Sequence, residues 1–263
     1  MLRFLKTLFF ALFFVSSLMA GEPFSLFTSS PRSDIPEEDW QKAYPFLLPE
    51  DSEMKQKLDA IFENSRATLN SHSLIKAGFS TADHQKYSLI VVTRHKDFPG
   101  YIFKLYLDNE KYKPETRARY LLTRRALGSS LIQKFIDEHD LGHMFQVPKK
   151  WIYLLPEVKK PLKKYAYKNF IVVEEEMDIL EKHANKRAWK EKVTKEMLLN
   201  LYQIVKEIGL VDCVKIDNIP FATNGKITFV DTEAFTKERP VTLKRLKKSL
   251  SHSKRAFWER LID

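Results

Sequence analysis

The sequence holds one cysteine, Cys213, in 263 residues. No intrachain disulfide can form, and no paired-cysteine metal motif is possible. A chain of this length can bury a core large enough to fold without such staples. Glycine is scarce as well, at 7 residues, which leaves no Gly-rich run to wrap a phosphate chain. Acidic side chains are in deficit, 34 against 44 Lys and Arg, so the net charge is +10. That balance favours anionic partners such as phosphates, nucleic acid or acidic lipid surfaces. Internal repeats and low-complexity tracts are missing too.

The one long apolar run is at the start, MLRFLKTLFFALFFVSSLMAGEP. Arg3 and Lys6 form a positive n-region, Leu8 to Val15 an apolar stretch, and Ser16 to Ala20 a small-residue region. This predicts a signal peptide over 1–20 and export to a periplasmic, extracellular or host-cell compartment; the alternative, an uncleaved membrane anchor, asks the short apolar run to span a bilayer. Removing it leaves about +8 and no transmembrane candidate in the mature chain. Residues 21–51 read as an extended, Pro-containing lead-in with a short helix near Glu37 to Lys42.

From residue 52 onward the periodicity alternates between helix and strand. Met54, Leu58, Ile61, Phe62 and Leu69 form a helical stripe over 52–70. SLIVVTRHKDFPGYIFKLYLD predicts a hairpin in which Lys104 points to the face opposite Phe103. A long helix is expected from Pro114 to about His139, then strands near 145–154 and 168–174. Helices follow over 180–192 and 194–208, the second stopped by Gly209, and a basic amphipathic helix over 241–262 closes the chain. The fold class is α+β, strand-rich first and helical later. The Arg124–Arg125 pair and the basic C-terminal run read as solvated faces, with a phosphate or membrane-surface patch as the alternative. His139 and His143 stand four apart, a spacing that metal pairs also use.

KIDNIPFATNGKITFVDTEAF, Lys215 to Phe235, reads as a second hairpin. A type I′ turn on Asn224-Gly225 pairs Thr223 with Lys226, Phe221 with Thr228 and Asn218 with Asp231. Directly opposed residues share a face about 5 Å apart. An amide and a carboxylate so placed have the oxygen ligands that suit one hard cation.

These features together resemble the protein-kinase-like superfamily, in the style of its small-molecule phosphotransferases, over about residues 86–235. Lys104 in YIFKLYLD looks like the strand lysine that grips nucleotide phosphates. Asn218 in KIDNIPF and Asp231 in FVDTE look like the two magnesium ligands, and VVEEEMD looks like the hinge. The resemblance implies a two-lobed fold, with an N-lobe over about 52–175 and a C-lobe over about 176–263. It also implies ATP and Mg²⁺ as ligands and a phosphoryl acceptor or an acidic protein as partner, rather than nucleic acid. The catalytic base falls to Asp212, one residue earlier than the family's spacing, where Cys213 stands; Asp217 is its rival, and Glu233 is an accessory metal ligand. Glu115 is the acidic residue of the long helix available to pair with Lys104. The resemblance thus implies a kinase-like protein that binds Mg²⁺-nucleotide, or a catalytically inactive relative kept for binding.

Overall fold

The computed structural model of the chain describes residues 31–63, 65–80, 83–84, 89–211, 215–236 and 243–263. The expected signal peptide, Asp212 and Cys213 lie outside these residues. The architecture is α+β. A five-stranded antiparallel sheet contains β1 (Asp83–His84), β2 (Val91–Thr93), β3 (Tyr101–Leu105), β5 (Lys150–Leu154) and β6 (Phe170–Glu175), in the order β1-β2-β3-β6-β5. The Lys-Asp-Phe-Pro-Gly turn joins β2 to β3 and ends on Gly100 at φ 82°, a conformation that glycine adopts without penalty.

Alternation along the strands gives each face of the sheet its own core. Phe103, Leu105, Tyr153, Ile171 and Val173 bury one face beneath α2 (Glu53–Glu63) and α3 (Ser71–Lys76). Ile152, Phe170 and Val172 bury the other with Trp40 of α1 (Glu37–Ala43) and Ala118, Leu122 and Ala126 of α4 (Glu115–Glu138). Lys104 sits on this second face, opposite Phe103 as its strand position demands. At 24 residues α4 is about 36 Å long. Its later residues Ile132, Phe135 and Ile136 therefore reach a third core.

That core is built by α5 (Lys182–Glu191), α6 (Lys195–Ile208), α7 (His252–Ile262) and the paired strands β4 (Phe145–Gln146) and β7 (Ile227–Thr228). Thr194 caps α6 by accepting from the Met197 amide at 3.0 Å, and Gly209 ends it at φ 75°. Among the described residues no helix is long and apolar enough to cross a membrane.

Several expected elements are broken where local chemistry offers a stop. The 52–70 helix ends at Glu63, and Asn70 starts α3 by accepting from the Ser73 amide at 2.9 Å. The single strand expected over 145–154 is two, because Pro148 has no amide to continue a ladder; β4 pairs parallel with β7, while β5 joins the main sheet. The last helix is a 3₁₀ segment, Leu243–Ser249, followed by α7.

The second hairpin is corrected in register. The turn closes with Gly225 N–H donating to Ala222 C=O at 3.0 Å, and only Gly225, at φ 85°, takes a positive φ. Thr223 and Asn224 therefore occupy the centre of the turn, and Gly225 forms a bulge after it. Phe221 faces Ile227, and Val230 N–H donates to the Asn218 carbonyl at 3.1 Å. One extra residue slips the ladder by one position and turns side chains to the other face. Asn218 thus stands opposite Val230, not Asp231, so the cross-strand pairing from which a shared cation site was argued does not form.

Candidate functional site

Six charged side chains converge where the sheet, α4 and the segment after β7 meet. In the β5–β6 ladder Lys150 is directly opposite Glu174, and in the β3–β6 ladder Ile102 is. Lys104, two residues beyond Ile102, therefore shares their face. Its Nζ donates to Glu174 Oε1 at 3.0 Å and to the Val230 carbonyl at 3.0 Å. Lys150 Nζ lies 3.1 Å from Glu174 Oε2 and donates to Thr232 Oγ1 at 3.0 Å. One buried carboxylate is thereby clamped between two buried amines. Lys104 is paired, but by a strand glutamate. Glu115, the helix residue expected to serve it, instead holds Arg119 at 3.1 Å. It lies ten residues before Arg125 on α4, about 15 Å along the axis.

The helix supplies an arginine where the resemblance called for an acid. Arg125 Nη1 donates to Asp231 Oδ1 at 2.8 Å, and Nη2 reaches Glu233 Oε2. Arg125 is 5% exposed and Asp231 35%, so the guanidinium closes the site from the protein side while the carboxylate faces outward. Arg124 is likewise no free surface cation: its Nε donates to the Glu233 carbonyl at 2.9 Å, and its guanidinium lies 3.7 Å over the Phe235 ring. The expectation of a solvated arginine face fails here, because both side chains bind a segment 106 or more positions away in sequence.

This segment, Val230 to Phe235, lies along α4. Thr232 Oγ1 donates to the Arg125 carbonyl at 2.7 Å. Opposite it the helix carries Gly128, where an added Cβ would fall 2.0 Å from the Thr232 carbonyl oxygen. Only glycine permits so close an approach. Past the helix the segment pairs back, with Val211 N–H donating to Ala234 C=O at 2.8 Å.

Three cations thus face three carboxylates, and their mutual fields set their titration. Burial pushes Glu174 up, but Lys104 and Lys150 outweigh it and hold the carboxyl below its ordinary range. Asp231 is lowered in the same way, with Arg125 as the main counterweight to burial. Burial drives Lys150 down to about 8, and it raises Glu233. Tyr106, buried beside Arg125, is pushed up to about 12. Glu115 rises to about 7 through burial.

Of the residues expected at a site, the structure joins Lys104, Asp231 and Glu233 in one cluster. Asn218 belongs to the loop beside it, which is stapled by Asn185: its Nδ2 donates to the Ile216 carbonyl at 2.9 Å and its Oδ1 accepts from Phe221 N–H at 3.0 Å. Asp217 is exposed. His139 stacks on Phe135 and bonds its carbonyl, and His143 bonds the Asp140 carbonyl, so the two are not a metal pair. Among the described residues no three His, Cys, Asp or Glu side chains gather to hold a metal ion. Lys150 and Arg125 were missed. The signal for Lys150 was a lysine at the head of an apolar strand in KKWIYLL, which only tertiary pairing explains. No family model matches the sequence, and no curated protein matches it.

Proposed function

We propose that this chain is a catalytically inactive, protein-kinase-like binding module that engages an acidic protein partner. The two-lobed reading is supported by the long helix between β3 and β5, by Lys104 on β3, and by the passage from β6 into a helical second core. The observation that carries the inactive reading is Arg125 on Asp231. A guanidinium already neutralises this carboxylate through Oδ1, so a magnesium nucleotide would have to compete with it, and Glu174 and Val230 engage Lys104. In this arrangement the residues do not fit ATP and Mg²⁺, because the three positive charges already match the three negative ones.

The basic surface lies on the helical core. Residues 182–192 carry five basic side chains and one acidic, and residues 243–255 carry six basic and none acidic. Lys254 Nζ donates to the Lys190 and Glu191 carbonyls at 3.1 and 2.9 Å, which ties α7 to the end of α5. Lys186, Lys190, Lys244 and Lys248 are exposed around that joint. No large apolar side chain is exposed within these elements, so recognition there rests on charge. Export, expected from residues 1–20, would place the module outside the compartment in which it is made.

A thermal-shift titration of the full chain with ATP and Mg²⁺ tests the proposal. A ligand at a hundredfold its Kd adds about 2.7 kcal/mol, which moves Tm by about 5–10 °C in a chain of this size. The expected result is no metal-dependent shift. A shift that Asp231→Ala abolishes would overturn the inactive reading. For the basic face, Lys186→Glu with Lys248→Glu is expected to weaken retention of an acidic polyglutamate peptide; unchanged retention would show that this face does not bind the acidic partner.

A further inference from the structure

Two loops at the opposite end of β3 from its Gly100 turn combine exposed apolar tips with lysines, a chemistry that the helical basic face lacks. Tyr112, in the turn between β3 and α4, is 91% exposed, and Leu162, in the connection from β5 to β6, is 56% exposed. No other large apolar side chain among the described residues is as exposed as either. Lys111 and Lys113 flank the first, and Lys159, Lys160, Lys163 and Lys164 flank the second. All but Lys113 are exposed.

The loops are fastened to each other rather than free. Ala166 N–H donates to the Asp108 carbonyl at 2.7 Å, and Lys168 N–H to Asp108 Oδ1 at 2.8 Å. Lys168 Nζ, fully buried, donates to the Glu110 and Lys113 carbonyls. Arg66 completes the clamp with Nε 2.9 Å from Asp108 Oδ2. The fold thus uses a buried ion network to hold two exposed apolar tips. One exposed Leu is ordinary on a protein surface; the informative feature is that the two most exposed large apolar side chains among the described residues sit on loops fastened together and flanked by six lysines.

We propose that this loop pair docks the protein on an anionic lipid bilayer. Leu162 and Tyr112 enter the headgroup boundary, where an apolar chain and a phenol with a polar tip are both accommodated. The lysines stay at headgroup level against the lipid phosphates. The headgroup boundary offers phosphates to the lysines and an apolar layer to Leu162 with no preformed pocket, whereas a protein would need an acidic surface with a pocket matched to each tip; the bilayer is therefore the inferred occupant.

The test uses the full chain with Leu162→Cys carrying a bimane fluorophore and Cys213→Ser. The probe is vesicles of phosphatidylcholine with or without phosphatidylglycerol. A blue shift on the anionic vesicles only, quenched by brominated acyl chains, is the predicted result. Lys160→Gln with Lys163→Gln should weaken that binding about thirtyfold at physiological salt, from about one lysine-equivalent each. Sedimentation with vesicles while the fluorophore stays unshifted would overturn the proposal, since another segment would then be responsible. An equal shift on neutral vesicles, or none on either, would overturn it too.

Discussion

Replacing Glu174 with Gln removes one charge while keeping shape, and it leaves Lys104 and Lys150 side by side in a dry site. Glu174 is 1% exposed, and the two lysine side chains are 8% and 0% exposed. Breaking a buried pair by deleting one partner costs about 3–5 kcal/mol, a large part of the 5–15 kcal/mol typical of whole domains. The cost depends on pH through Lys150. Its folded pKa, about 8, is already below the unfolded value of about 10.4. The folded state therefore binds fewer protons than the unfolded one between these limits, and stability rises with pH across that window. Loss of Glu174 lowers the folded pKa further, so the variant begins to regain stability at a lower pH than wild type. Urea denaturation at pH 6 and pH 9 reads this directly. The expected result is a loss of about 3 kcal/mol or more at pH 6 and a clearly smaller one at pH 9. A loss under about 0.5 kcal/mol at pH 6, or an equal loss at both, would refute the buried-charge argument.

Gly128→Ala sets helix propensity against close approach. Alanine gains about 1 kcal/mol in a helix interior, but its Cβ meets the Thr232 carbonyl and forces the segment off α4. Overpacking of about 1–3 kcal/mol and the loss of two Thr232 hydrogen bonds at about 1 kcal/mol each outweigh the gain. The urea midpoint should fall by about 2 kcal/mol equivalent, and a stabilised variant would contradict the placement of residues 230–235. Asp108→Asn should loosen the two lysine loops, because the carboxylate accepts from Arg66, Thr68 and the Lys168 amide at once. Faster amide hydrogen exchange over 108–113 and 156–168 is expected; protection equal to wild type would show that the clamp does not hold them. Arg125→Lys should fail to restore the site, since one ammonium lacks the fork that spans Asp231 and Glu233; a wild-type melting temperature would argue against that spanning role.

Local signals sufficed where the answer was local. The stop at Gly209 and the opposite facing of Lys104 and Phe103 both follow from periodicity and capping chemistry. The hairpin was seen but its register was not, because Asn-Gly serves both a two-residue turn and a turn followed by a bulged glycine. That one-residue difference decides whether Asn218 faces Asp231. Arg125 was hidden for another reason. A helix carrying four arginines in ten residues looks solvated, and only a segment 106 positions later makes two of them binding groups. Glu174 was legible as one of an acidic run, yet its role required knowing that Lys104 and Lys150 land on one sheet face. Local chemistry named the elements, and long-range charge pairing made the site.

Arg125 serves Asp231 as its resident cation. A double-mutant cycle of Arg125→Met and Asp231→Asn, followed by urea denaturation at pH 7, measures that bond apart from all others. Partners in one buried network couple by about 0.5–3 kcal/mol. With Arg125 almost wholly buried and Asp231 a third exposed, the expected coupling is about 1.5 kcal/mol. A coupling indistinguishable from zero would contradict it, and Asp231 would again be open to a metal.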